Sequence, residues 1–207
     1  MNFELWLTFV AASTALLLIP VPTVLLVLSY AVSQGRTVAL ATVAGVALGD
    51  LIAMTASLAG LGALVLASAT LFTVLKWAGA IYLVYLGLRM LFSASASDGH
   101  RLVGALPARG VFRHAAWVTA LNPKSIAFFI AFVPQFVAPG EPLLAQFVIL
   151  ILTFVGLAAL NALAYALLAD QLRARIARPR VIRNLTRGGG VALVAMGVMT
   201  ATLRRNA

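Results

Sequence analysis

The stretch Trp117–Val137 reads WVTALNPKSIAFFIAFVPQFV. Most of it is apolar enough to sit in lipid, yet Asn122-Pro123-Lys124 stands near its centre. Proline lacks an N–H and pushes the residue before it out of the helical region. Lysine brings a charge to a place where charge is expensive. A chain that only had to cross a bilayer would gain nothing from either. The stretch therefore predicts a broken membrane helix carrying an intramembrane charge, the kind of element from which transport sites are built.

Composition agrees with a membrane setting. Of 207 residues, 63% are hydrophobic and 10% charged, against about half apolar and a quarter charged in soluble domains. The chain reads as an all-α membrane protein, one transmembrane domain over residues 1–207. Six spans are expected near residues 5–34, 37–67, 71–92, 114–137, 143–172 and 188–203. The last has only 16 uncharged residues and opens on three glycines. Residues 138–142 (APGEP) read as a tight turn. No Lys or Arg precedes the first apolar run, so residues 5–30 are expected to be a mature helix, not a signal peptide.

The formal charge of +10 reflects loop arginines, with no aromatic-interleaved basic region to bind nucleic acid. With six spans, eleven of the fifteen basic residues fall in the connectors after the first, third and fifth. Lys76, Arg204 and Arg205 fall on the other side. The positive-inside rule then puts those connectors in the cytoplasm and both termini outside. Trp6 and Trp77 would lie near the outer interface and Trp117 near the inner one. The chain has no cysteine, which removes disulfides and thiolate metal ligands.

The spans divide three and three. Pro20-Val21-Pro22-Thr23 interrupts the first, as Asn122-Pro123-Lys124-Ser125 interrupts the fourth. An inverted repeat with two broken helices is expected. At about 1.5 Å per residue, Lys124 lies roughly 16 Å and Asp50 roughly 20 Å into a core about 30 Å thick. Pro20 and Pro22 lie roughly 22–26 Å in, less if the span tilts.

Asn122 suits a helix N-cap and Pro123 the first helical position. The second half of the fourth span would start there, with free N–H groups suited to a carboxylate. Pro22 with Thr23 could start a half-helix in the same way. Lys124 adds positive charge, and Asp50 offers a negative charge to an ammonium group. Such a pair fits a zwitterionic amino acid, and Asp50 is also a candidate proton carrier. The plainer alternative is that Asp50 and Lys124 pair and lock two spans together, although a buried pair is weak evidence for stability.

Asn161 either faces the cavity or bonds between helices. Ala41, Gly45, Gly49 and Ala53 recur every fourth residue, first of all a close-packing face, with a sliding surface as the functional alternative. Tyr82 and Tyr85 read as packing or interface residues before ligands, and Phe128, Phe129 and Phe132 as lipid-facing or core residues. His100 and His114 fall in or beside a polar connector. No cofactor or metal site is expected. The partners expected are lipid, a small amino acid and protons, with no nucleic acid; a homodimer is one option.

Three blocks resemble the LysE/RhtB family of amino-acid exporters. Leu121-Asn122-Pro123-Lys124, with Phe128-Phe129 and Pro134-Gln135-Phe136, resembles the family's Asn-Pro-Lys block. Lys76-Trp77-Ala78-Gly79-Ala80-Ile81-Tyr82-Leu83, with Tyr85-Leu86-Gly87 and Arg89, resembles its third-helix signature. Pro20-Val21-Pro22, with Gly35-Arg36, Gly45 and Gly49, resembles its Pro-Gly-Pro block, with Val21 in place of the glycine and Thr23 where Asn is common. The resemblance implies efflux of amino acids or their derivatives, by exchange with protons, through a bacterial inner membrane. An ion or metal exporter on the same scaffold is the alternative. An intramembrane protease would need a Ser–His pair or two facing aspartates, and the spans supply neither.

Overall fold

The computed structural model describes residues 1–18, 27, 30, 36–67, 69–92, 107–138, 140–168 and 179–202. Among these residues every regular element is helical. They are α1 (Phe3–Leu18), α2 (Arg36–Ala67), α3 (Ala69–Phe92), α4 (Ala108–Ala120), α5 (Pro123–Ala131), a 3-10 turn (Val133–Phe136), α6 (Leu143–Leu167) and α7 (Pro179–Thr202). Three stretches, Thr37–Ala63, Thr73–Phe92 and Leu143–Leu167, are long and apolar enough to cross a membrane. α4 with α5 and the turn makes a fourth when counted as one bent span. The Pro20–Thr23 break, His100 and most of the two arginine-bearing connectors lie outside the described residues.

The fourth span begins at Ala108, six residues before the expected boundary. Its first turns are amphipathic: Val111, Ala115 and Ala116 are buried while Arg113 and His114 are exposed. A run of apolar residues cannot mark the start of such a helix, since its polar face faces away from the core.

The last helix also starts early, at Pro179, nine residues before the expected span. Gly188-Gly189-Gly190 lies inside it. The reason is packing against α3. A Cβ on Gly190 would sit 2.6 Å from the Gly87 carbonyl oxygen, and a Cβ on Gly87 2.6 Å from that of Gly190. Gly197 meets the Ala80 carbonyl in the same way, at 2.8 Å. Small residues let two backbones touch, and the contact outweighs glycine's poor helix propensity.

The main core is rich in aromatic rings. Phe128 stacks on Phe132 at 5.1 Å, and Phe129 meets Phe154 edge-on at 4.9 Å. Phe136 bridges Phe132 at 5.1 Å and Phe9 of α1 at 5.3 Å. These rings are core residues, not lipid-facing ones. Tyr82 packs at the edge of this core, and Tyr85 is exposed.

In the turn after α5 the Gln135 side-chain amide nitrogen finds partners, while its buried Oε1 has none among the described residues. The Gln135 backbone N–H bonds Phe132 O at 3.2 Å, so the Gln135 side chain takes over Ala131 O at 3.2 Å. It also donates to the Thr200 hydroxyl of α7 at 2.7 Å. Gln146 clamps the following loop. Its Oε1 accepts from the Ala138 N–H at 2.7 Å, and its Nε2 donates to Ala138 O at 3.1 Å. Gly140 has φ +81°, which only glycine adopts readily.

Candidate binding site at the helix break

The break between α4 and α5 follows from one missing hydrogen. Pro123 has no N–H for the Thr119 carbonyl, which takes the Asn122 N–H instead at 3.1 Å. Asn122 turns extended (φ −70°, ψ 108°), and its side-chain oxygen accepts from the Lys124 N–H at 3.1 Å. Asn122 is thus the N-cap of α5 and Pro123 its first residue, as expected. The two helices meet at 45°.

α2 passes close to this break. A Cβ on Gly45 would collide with the Phe112 carbonyl. One on Gly49 would lie 2.6 Å from both Ala116 O and Thr119 Cβ. The small-residue face of α2 is therefore a packing face. Close approach there brings Asp50, the next residue, to the break. Asp50 is 4% exposed and Lys124 8% exposed, and each has the other as its charged neighbour.

α6 supplies the third wall. Asn161 Nδ2 donates to Leu17 O at the end of α1, at 3.0 Å. One turn on, the Tyr165 hydroxyl donates to Leu18 O at 3.4 Å. In a continuous helix the Leu18 carbonyl would look to residue 22, a proline with no N–H.

These walls enclose a cavity of about 40 Å³. Asp50, Thr119, Asn122, Lys124, Ser125 and Asn161 are its polar lining, and Leu16, Leu17, Val27, Val46, Phe154, Ala158 and Ala162 its apolar lining. A water needs roughly 10–15 Å³ on this measure, so about three fit. A whole amino acid needs the walls to part.

Among the described residues two clusters of buried side chains flank the cavity. On one side lies the aromatic core. On the other lies a small cluster of Val27, Val46, Ala115 and Ala162. The Tyr30 hydroxyl and His114 Nδ1 form a hydrogen bond of 3.1 Å beside this second cluster.

Four of the residues singled out from sequence, Asp50, Asn122, Lys124 and Asn161, line this one cavity. Pro123 shapes the backbone but is not part of the lining. Pro20, Pro22 and Thr23 lie outside the described residues. Thr119 and Ser125 were not anticipated. Their signal is spacing: Thr119 sits three residues before the cap and Ser125 directly after Lys124. Phe154, Ala158, Asn161 and Ala162 likewise share one helical face.

The family model for the LysE type translocator matches residues 14–203. The chain belongs to this family. As a LysE-type chain it is 34% identical over 204 residues to the homoserine/homoserine lactone efflux protein of Salmonella typhimurium, covering 99% of both chains. It is 29% identical over 204 residues to an uncharacterized membrane protein of Vibrio cholerae, covering 99% of this chain and 100% of that one. It is 32% identical over 133 residues to the leucine efflux protein of Klebsiella pneumoniae, covering 64% of this chain and 63% of that one. No solved structure matches. Family and helices together make this LysE-type chain a multi-pass membrane protein.

Proposed function

We propose that this protein is a secondary transporter, not an enzyme, that exports amino acids or their derivatives from the cytoplasm across a bacterial inner membrane in exchange for protons. The observation that carries the reading is the cavity at the helix break, where a buried carboxylate and a buried ammonium group line the same small space. Asp50 would hold the substrate's ammonium group and, in the other half of the cycle, a proton. Lys124 and the N-terminal end of α5 would hold its carboxylate. The names of the relatives support the same class of cargo.

The architecture proposed is six spans in two inverted halves, with both termini outside. The helix pairings support the division into two matching halves. Exchanging α1 with α4–α5, α2 with α6 and α3 with α7 turns the α2–α4 contact into α6–α1, and α3–α5 into α7–α1. The α2–α6 and α3–α7 contacts map onto themselves. All of these contacts are present.

The test is counterflow of labelled amino acids in proteoliposomes, with and without a pH gradient. Movement of at least one amino acid, accelerated by the gradient, is expected. No gradient-dependent movement across a broad panel rejects the reading. The alternative of a metal exporter would need further ligands beside Asp50, and among the described residues no group of three His, Asp or Glu stands together.

A further inference from the structure

One face of α4 helps to wall the cavity, and the opposite face carries a pattern of its own. Arg109, Arg113 and Trp117 are exposed there, followed by Leu121 just past the helix end. They recur every fourth residue and so form one stripe along the helix. Trp117 is 65% exposed and Leu121 67%. α4 carries no acidic residue, and neither arginine has an ion pair among the described residues.

The order along the stripe is chemical. At about 1.5 Å per residue it runs roughly 18 Å, from two charges through an indole to an aliphatic side chain. A phospholipid at a membrane surface presents the matching order: phosphate, ester-linked glycerol, hydrocarbon. Two guanidinium groups one turn apart can share one phosphate by charge-assisted hydrogen bonds. Indole rings favour the headgroup level, and an aliphatic side chain belongs beside the acyl chain. A cationic stripe with no counter-charge of its own favours a headgroup whose phosphate charge is not cancelled by an attached ammonium group. We infer that this stripe is a binding site for one anionic phospholipid, with Arg109 and Arg113 on its phosphate and Trp117 beside its glycerol. The lipid sits on the back of a cavity wall, since α4 reaches the cavity through Thr119 and packs on α2 at Gly49. The site is independent of what the protein carries.

The chain has three tryptophans, so Trp6→Phe with Trp77→Phe leaves Trp117 as the sole indole. In phosphatidylcholine vesicles, brominated phosphatidylglycerol and brominated phosphatidylcholine are compared as quenchers of Trp117. The anionic lipid should bind about fivefold more tightly, the worth of one basic contact at an anionic surface. Arg109→Gln with Arg113→Gln should bring the two lipids level. Arg183→Gln with Arg187→Gln, at two exposed positions of α7, should leave the preference in place. If the double phenylalanine background does not insert, the shift in unfolding temperature on adding each lipid in detergent carries the same comparison for the wild type and both arginine pairs. Equal effects of the two lipids overturn the inference, as does a preference that survives the loss of Arg109 and Arg113. A preference lost as fully in the α7 pair belongs to the field of the whole basic face and overturns it too.

Discussion

At the scale of single residues the two buried charges decide most. Asp50→Asn keeps the size of the side chain and removes both the charge and the exchangeable proton. Export by this variant should lose its dependence on a pH gradient while the protein still inserts, measured by proteoliposome uptake beside membrane-fraction immunoblots. An Asn variant as gradient-driven as the wild type would move the proton site elsewhere. Lys124 tests whether the pair is also structural. Removing one member of a buried pair costs about 3 kcal/mol, because the other is left uncompensated. Lys124→Met should therefore lower the unfolding temperature in detergent, and Asp50→Asn with Lys124→Met should recover most of the loss. If the double variant is the less stable, the two groups do not compensate one another. Both charges were legible from sequence because their depth follows from counting residues into an apolar span. Thr119 was not, because a threonine in such a span normally bonds its own helix. Only coordinates reveal a hydroxyl that does not.

At the scale of elements the deciding feature is how near α2 and α4 come. An added Cβ at Gly49 would lie 2.6 Å from Ala116 O and 3.0 Å from Ala120 N, both backbone atoms that cannot swing away. Gly49→Ala should destabilise by about 1–3 kcal/mol, the usual cost of overpacking. Gly156 of α6 has nothing within 4 Å of its would-be Cβ. Gly156→Ala should stabilise by about 0.4–1 kcal/mol through the unfolded chain. Thermal unfolding of the two variants side by side checks the contrast, and equal effects would mean the close approach is not real. The break at Pro123 was readable because proline lacks a donor in any surroundings. The early start of α7, at Pro179, was not. Three consecutive glycines argue against a helix by propensity, and only the partner backbone at Gly87 explains why the helix runs through them.

At the scale of the molecule the two clusters beside the cavity frame a test of direction. The aromatic end is thick, and Phe9, Phe128, Phe132 and Phe136 would all have to separate for it to open. The other end is closed by Val27, Val46, Ala115 and Ala162 and the bond between Tyr30 and His114. Among the described residues the groups at that end are fewer and smaller, and opening there is the expected outcome. It is also the end nearer Arg109 and Arg113, which the positive-inside rule assigns to the cytoplasm. An exporter needs this arrangement, because its substrate enters from inside. The chain has no cysteine of its own, so a single introduced one reports without background. Ala162→Cys lines the cavity within the cluster of Val27, Val46 and Ala115, and Ser13→Cys lies on the buried face of α1 between Phe9 and Leu16. In inside-out vesicles, a membrane-impermeant maleimide should label Ala162→Cys faster than Ser13→Cys. An exported amino acid should slow that labelling by occupying the cavity. Labelling of Ala162→Cys only from the outer face would invert the topology, and equal rates at both positions would remove the asymmetry from which the direction of transport is argued.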